Sequence, residues 1–245
     1  MPTCSCEVCT SSDPRDSRLR CSCLIEVNGL SILVDAGPDL RTQCLQFGVK
    51  RVDAVLITHE HFDHTAGLDD LRAFMLNNRT KLPVFASRRT TETLKRRFDY
   101  IFDNRRYPGV PNLELVSIDD TFTVKSRYGT DSMVEIECVE VMHGSLPITG
   151  FRIGRFAYLT DASHLPDRST ERLKRLDTLI LSALRHEPHP THFAFDEAID
   201  AGRRIGARKT YFIHMTHSIL HERDGSNLPA GFELGYDGLV VEVDP

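Results

Sequence analysis

Three histidines and one aspartate, all side chains that bind transition metals, stand within six positions of one another: His59, His61, Asp63 and His64. On an extended segment, residues two positions apart share a side, so the four side chains can hardly face one ion. The spacing predicts two metals, with His59 and His61 at one and Asp63 and His64 at the other. The alternative is a polar surface loop that is rich in histidine for no chemical reason.

The elements that must position these side chains are short apolar strands. Residues 53–57 are apolar and β-branched, which is typical of a buried strand, so the histidines follow its carboxyl end. Ligand-type residues follow four more predicted strands, at residues 30–34, 134–142, 156–159 and 210–213, and these residues are Asp35, His143, Asp161 and His214. Asp35 is either an ordinary turn residue or a hydrogen-bond acceptor that fixes the tautomer of a metal-bound histidine.

A further strand, residues 178–183, runs into a loop that carries His186, His189 and His192. Pro188 and Pro190 exclude the helix that a zinc-protease motif requires, and the first two histidines are three positions apart rather than four. The pattern predicts a rigid, histidine-bearing loop.

The N-terminal segment has three thiols at spacings of two and three: Cys4, Cys6 and Cys9. They are too close together for mutual disulfides, and they indicate a structural zinc site that lacks its fourth ligand. The alternative is a flexible thiol-bearing tail. Seven cysteines, an odd number, favour metal ligands and free thiols over a disulfide framework.

Two halves with a similar order of elements, roughly residues 19–125 and 134–243, suggest an α/β protein built as a four-layer αββα sandwich in one domain, residues 1–245. In the first half, Asn28 and Gly29 predict a tight hairpin turn between strands 19–27 and 30–34. The remaining predicted helices lie at 38–47, 68–76, 90–102, 167–176 and 195–205. The remaining predicted strands are a short one at 83–86, antiparallel strands at 113–118, 121–125 and 134–142, a second hairpin of 148–153 with 156–159, and a pair in the tail, 232–243.

The net charge of −5 argues against a general nucleic-acid binder or a membrane-surface protein. Residues 72–106 nevertheless contain ten basic and three acidic side chains, which form either a rim for a phosphorylated substrate or a solvated helix face. No apolar run approaches the ~20 residues of a membrane helix, so we expect a cytoplasmic protein. Residues 77–110 are a candidate homodimer contact.

The His-x-His-x-Asp-His run followed by Gly67 resembles the signature of the metallo-β-lactamase fold superfamily. Within it, the chain from Cys4 to the segment at 231–238 is similar to the PhnP group, the phosphoribosyl cyclic phosphodiesterases of phosphonate breakdown. The resemblance implies the metallo-β-lactamase fold and a dinuclear metal centre. Histidine and carboxylate ligands suit zinc, manganese or iron(II) at such a centre.

By this likeness each functional side chain receives a role. One metal would be bound by His59, His61 and His143, and the other by Asp63, His64 and His214, with Asp161 bridging the two. The structural zinc would be held by Cys4, Cys6, Cys9 and His217. His192 matches the catalytic histidine of the group.

The function that we expect is hydrolysis of a small cyclic phosphate or nucleotide, with His192 protonating the leaving oxygen. The alternatives for this role are that His189 is the proton donor or that His192 is a surface residue away from the metals. Relatives with the same motif also cleave thioesters, lactones and lactams, so the likeness defines the fold better than the substrate. The competing hypotheses are a tRNA 3′-processing endoribonuclease, a more distant oxidative role like that of the pyrroloquinoline quinone biosynthesis protein B group, and a non-catalytic metal-binding protein.

Overall fold

The computed structural model describes residues 1–75, 80–103 and 109–243. These residues fall into two units, one of them Arg20–Cys138 and the other Met1–Leu19 together with Val139–Pro245. The N-terminal cysteines therefore belong to the same unit as the C-terminal half of the chain. That the whole chain acts as one domain stays a prediction.

The unit Arg20–Cys138 contains a five-stranded sheet with its strands in sequence order. The strands are β1 (Cys23–Val27), β2 (Leu30–Val34), β3 (Ala54–Leu56), β4 (Leu82–Ser87) and β5 (Leu113–Ile118). The first pair is antiparallel and the later pairs are parallel. The predicted hairpin turn is confirmed, because Asn28 and Gly29 have φ values of 50° and 74° and Val27 pairs with Leu30.

Along the chain, the helices of this unit connect its parallel strands. They are α1 (Leu40–Gln46), α2 (Phe62–Thr65), α3 (Arg88–Arg97), α4 (Asp99–Phe102) and a 3₁₀ helix at Leu68–Met75. The predicted helix at 90–102 is interrupted at Phe98, where φ is −116° and ψ is 44°. Leu94 and Ile101 nevertheless both pack into the core of the unit, as the apolar face of that helix predicts.

The other sheet includes β6 (Thr121–Lys125) and the long strand β7 (Met133–His143), whose first residues pair with β6. It continues through β8 (Leu146–Ile153), β9 (Phe156–Leu159), β10 (Thr178–Ser182), β11 (Lys209–Ile213) and β12 (Phe232–Leu234). The pairs from β9 to β12 are parallel. The helices that accompany these strands are α5 (Asp167–Arg172), α6 (Phe195–Ile205) and α7 (His221–Gly225).

Two predictions about strands are wrong. β5 and β6 do not form an antiparallel pair, because β5 pairs in parallel with β4 over six residues and β6 belongs to the other sheet. The tail has one short strand, β12, instead of two. Beyond it, the amide of Gly235 donates to the carbonyl of Phe212 and residues 236–239 form a turn, so no second strand follows among the residues described up to 243.

Some predictions fall on residues that are not described. These are the last residue of the helix predicted at 68–76, parts of the candidate dimer segment, and the basic side chains Arg79, Arg105 and Arg106. In the described ranges, no helix has the length and apolar character that crossing a membrane requires.

Candidate metal-binding residues

The histidine loop begins directly after β3, where Thr58 and His59 are fully buried. The Nε2 atom of His59 lies 3.0 Å from the Nδ1 atom of His61. Two ring nitrogens that share one tetrahedral ion at ~2.0–2.1 Å stand about 3.3 Å apart, so this pair fits a single ion. The structure thus brings together the two histidines that the sequence pairs.

Asp35 follows β2 and adopts a left-handed conformation with φ of 60°, which is uncommon outside glycine. Its fully buried carboxylate lies 2.7 Å from Nδ1 of His64, and it accepts hydrogen bonds from the amide and the hydroxyl of Thr58, each at 2.9 Å. With Nδ1–H donating to Asp35, His64 presents Nε2 as its ligand atom, 3.7 Å from a carboxylate oxygen of Asp63. The predicted second pair therefore also converges.

Thr58 is a positioning residue that our sequence reasoning missed. Its hydroxyl donates to Asp35 and lies 3.0 Å from Nδ1 of His59, from which it can accept. One carboxylate therefore orients His64 directly and His59 through a hydroxyl, which fixes both tautomers. The available signal was a hydroxyl residue immediately before the first histidine.

Two glycines allow the loop after β2 to approach the histidine loop. A Cβ atom on Gly37 would lie 2.2 Å from the carbonyl oxygen of Asp63, and one on Gly67 would lie 2.2 Å from the carbonyl oxygen of Gly37. Real Cβ atoms do not come so close, so a side chain at either position would displace the backbone that carries Asp63.

In the other unit, His143 is the last residue of β7 and is buried. Its Nδ1 atom lies 3.0 Å from the carbonyl oxygen of Asp161 and 2.8 Å from that of Thr191. Carbonyls accept only, so Nδ1 carries the proton and Nε2 is the available ligand atom.

Asp161 and His214 follow β9 and β11 and are left-handed, with φ values of 52° and 60°. Nε2 of His214 lies 3.3 Å from the Asp161 carboxylate, which is 4% exposed. Together with Asp35, they make three strand-end residues that are each held in a conformation that costs free energy. Such strain is typical of functional sites.

His192 lies beside these groups, with its ring centroid 4.6 Å from that of His143 and 5.1 Å from that of His214. Burial lowers the pKa of His192 to about 4, against the opposing charge of Asp161. Among the described residues, its buried Nδ1 atom has no hydrogen-bond partner. Ligand atoms of Asp161, His192 and His214 lie within 4.8 Å of one another, so His192 can serve either as a third ligand or as an unbound proton donor.

The two other histidines of this loop are placed differently. His186 is half exposed and lies 3.3 Å from the carboxylate of Asp224, whereas His189 accepts from the amide of Thr191. His189 remains within reach, since its ring is 5.1 Å from that of His192, and burial lowers its pKa.

The N-terminal thiols form a separate cluster with the fourth ligand that the resemblance implies. Nδ1 of His217 lies 3.4 Å from Sγ of Cys4 and 3.4 Å from Sγ of Cys6, and Cys9 completes a group whose ligand atoms lie within 4.8 Å of one another. A nitrogen and a sulfur on one tetrahedral zinc stand about 3.5 Å apart, so the four side chains fit that ion. The contact with His217 lowers the pKa of Cys6 to about 6, which favours the thiolate that binds zinc.

Comparison with known proteins identifies the family. The sequence of residues 31–215 matches the family model of the β-lactamase superfamily domain. The crystal structure of a diphosphatase from the PhnP family is 39% identical, covers 98% of this chain and 89% of that one, and superposes with a TM-score of 0.88. The chain belongs to the PhnP family. The predicted α/β class and the metallo-β-lactamase fold are thereby confirmed, and with them membership of a metal-dependent hydrolase family.

Two curated relatives extend the comparison of this PhnP-family chain. An octanoyltransferase from Porphyromonas gingivalis is 39% identical over 246 residues, which is 98% of this chain and 48% of that protein. A ribonuclease Z from a Bradyrhizobium species is 29% identical over 146 residues, which is 58% of this chain and 46% of that protein. The chain spans about half the length of these relatives.

Proposed function

We propose that this chain is a metal-dependent phosphodiesterase that hydrolyses a small cyclic phosphate or a nucleotide. The observation that carries the proposal is the orientation of the imidazole rings. In His59, His64 and His143, Nδ1 is engaged by a hydroxyl, a carboxylate or a carbonyl, which leaves Nε2 as the metal ligand. Such hydrogen bonds are typical of metal-binding histidines, because they fix the tautomer before the ion arrives.

The proposed ligands are those that the family resemblance implies. One ion is assigned to His59, His61 and His143, the other to Asp63, His64 and His214, and Asp161 to both. Zinc, manganese and iron all suit imidazole and carboxylate ligands. When bound, such ions supply positive charge that stabilises the phosphoryl oxygens and lowers the pKa of water.

His192 is the proposed proton donor to the leaving oxygen. Its low pKa keeps the imidazole neutral near pH 7 in the protein alone. A bound phosphate adds negative charge beside the ring, which favours the protonated form and raises its pKa. An alkoxide leaves only slowly without a proton, so the reaction of a cyclic ribose phosphate depends on this group.

A diphosphatase is the second candidate, since that is the described activity of the PhnP-family relative at 39% identity. The two candidates differ at the leaving group. Cleavage of a diphosphate releases a phosphate, which leaves without prior protonation, whereas cleavage of a ribose cyclic phosphate releases an alkoxide. A diphosphatase would therefore depend little on His192.

Three further candidates are weaker. The ribonuclease Z relative matches little more than half of this chain, and the net charge of −5 does not favour tRNA. The octanoyltransferase relative is twice as long, so its named activity can belong to its other half, although thioester hydrolysis stays an alternative. A non-catalytic metal-binding protein would bind metals without turnover.

The deciding experiment combines metal analysis with a substrate panel. The panel holds 2′,3′-cyclic AMP, bis(4-nitrophenyl) phosphate, ADP-ribose, a precursor tRNA, an octanoyl thioester and a lactone. The proposal predicts three metals per chain and the highest kcat/KM on the phosphodiesters. Preference for ADP-ribose would identify a diphosphatase, and full metal content without turnover would favour the non-catalytic alternative.

A further inference from the structure

Glu60 stands between two candidate ligands, His59 and His61, yet its side chain contacts α3. Its residue is 9% exposed, and its carboxylate accepts hydrogen bonds from Nε of Arg89 at 2.9 Å and from the hydroxyl of Thr90 at 3.2 Å. A buried carboxylate is costly unless it is paired and hydrogen-bonded, so these contacts fix where Glu60 can lie. Its two neighbours share one side of the loop, since Nε2 of His59 lies 3.0 Å from Nδ1 of His61, so the contacts of Glu60 fix the backbone between them.

Arg97, at the other end of α3, makes a second set of contacts with the histidine loop. Its Nη1 atom donates to the backbone carbonyl of Glu60 and, at 3.1 Å, to the hydroxyl of Thr65. The Thr65 hydroxyl in turn donates to the carbonyl of His61 at 2.8 Å. One guanidinium therefore connects the beginning and the end of the loop that carries His59, His61 and Asp63.

The helix itself is firmly anchored. Arg89 and Arg97 are eight positions apart, which is ~12 Å along a helix, so the loop is held at two separated points. Between them, Leu94 is fully buried in the core of the unit, and the hydroxyl of Thr91 lies 3.0 Å from that of Ser117 in β5. The sheet thus holds α3, and α3 holds the loop.

We propose that Arg97 and Glu60 are positioning residues that keep His59 and His61 in metal-binding geometry and so set the metal affinity of the site. The inference rests on the proposed function, because it takes the histidine loop to bind metal. It also separates Arg97 from the candidate basic rim, whose side chains would contact substrate.

The test compares Arg97→Met with Arg96→Met, a neighbour on the same helix with the same change of charge. Arg96 is exposed, as Arg97 is, but the hydroxyl of Thr93 is the one partner among the hydrogen bonds described for its side chain. Mn²⁺ is the probe, because it prefers imidazole and carboxylate to the thiolates of the zinc cluster. Free Mn²⁺ is measured by electron paramagnetic resonance during titration of protein that retains zinc at its cysteines.

We expect Arg97→Met to weaken Mn²⁺ binding by ~10- to 100-fold, the usual effect of removing a group that orients a ligand. The Mn²⁺ affinity of Arg96→Met should stay within about twofold of the wild type, because a substitution at an exposed position away from the site has a small effect. Arg97→Lys, which keeps the positive charge but has a shorter reach and lacks the planar guanidinium, should fall between them. If Arg97→Met does not fold, Glu60→Gln takes its place, with a smaller but measurable weakening.

The kinetic counterpart is a fall in kcat at saturating Mn²⁺ with KM unchanged. An Arg97→Met protein that melts at a lower temperature but keeps wild-type Mn²⁺ affinity and kcat would reduce the contact to a structural one and overturn the inference. A raised KM with unchanged kcat would place Arg97 at the substrate instead. The Mn²⁺ titrations need no substrate, so a wild type that binds Mn²⁺ but cleaves no phosphodiester would refute only the proposed function.

Discussion

The imidazole rings of His192 and His214 are stacked, with centroids 5.1 Å apart and planes inclined by only 18°. Nε2 of His214 is directed at the carboxylate of Asp161, whereas Nδ1 of His192 has no hydrogen-bond partner among the described residues. The proposed function gives these two neighbouring rings different roles, metal binding for His214 and proton transfer for His192.

The first prediction tests that division by the leaving group. His192→Ala should lower kcat by ~10²- to 10⁴-fold on 2′,3′-cyclic AMP, the usual contribution of general acid catalysis. The loss should be far smaller on bis(4-nitrophenyl) phosphate, because a nitrophenolate departs without a proton. Metal content, measured by mass spectrometry of the purified protein, should equal that of the wild type.

The matched control for this variant is His189→Ala, in the same loop and 5.1 Å from His192 between ring centroids. It should leave kcat on both substrates nearly unchanged. Equal losses of the His192→Ala protein on both substrates would assign His192 to binding or structure. Loss of one metal from the His192→Ala protein would show that His192 is a metal ligand.

The strand ends were the predictable part of the site. Five apolar strands ending at Asp35, His59, His143, Asp161 and His214 could be read from local hydrophobicity and from the residue that follows. The left-handed conformations of Asp35, Asp161 and His214 could not, because nothing in the sequence requires φ near 60° at an aspartate or a histidine. These conformations go with long-range contacts that exist only in the folded chain, such as that between Asp35 and His64, which are 29 positions apart.

The same limit explains the errors in the fold. Leu113–Ile118 and Thr121–Lys125 have the spacing of a hairpin, and local pattern alone predicts that they pair. The parallel register of β5 with β4, which joins Leu113 to Leu82, depends on residues about 30 positions away. The contact of Glu60 with Arg89 of α3 is likewise long-range, so the sequence alone does not identify the partners of Glu60.

A second prediction concerns Asp161, which is 3% exposed. Asp161→Ala should remove activity and metal together, since it deletes a negative charge proposed to lie between two cations ~3.5–4 Å apart. The measurement is metal content per chain alongside kcat on the best phosphodiester. Asp167→Ala, an exposed carboxylate at the start of α5, is the control and should change neither. Retention of both metals and near-normal turnover by Asp161→Ala would show that the proposed ligand set is wrong.

A third prediction separates the thiol cluster from catalysis. Cys6→Ser should lower the melting temperature and remove one zinc per chain, because closed Cys₃His sites contribute folding free energy rather than chemistry. His217→Ala should behave alike, and kcat of the remaining folded protein should be largely kept. Cys44→Ser, at a half-buried thiol outside the cluster, is the control for the sulfur-to-oxygen change. Unchanged melting and full zinc content in Cys6→Ser would instead indicate a thiol-bearing tail.

The last prediction is a dependence of stability on pH in the metal-free protein. The pKa of His192 is about 4 in the folded chain, against an ordinary value of 6.5, chiefly because burial disfavours the charged ring. Between these two values the unfolded chain binds a proton at this position that the folded chain does not. Its contribution to the free energy of unfolding is therefore constant above pH 6.5 and falls as the pH drops from 6.5 towards 4.

Replacement of His192 by a neutral side chain removes this contribution, so His192→Gln should lose less stability than the wild type between pH 6.5 and 4. Urea unfolding at pH 7.5, 6.5, 5.5 and 4.5 in the presence of a chelator measures the difference, and other groups cancel because they titrate in both proteins. Parallel stability curves for the two proteins would mean that His192 is hydrated in the metal-free state and keeps an ordinary pKa.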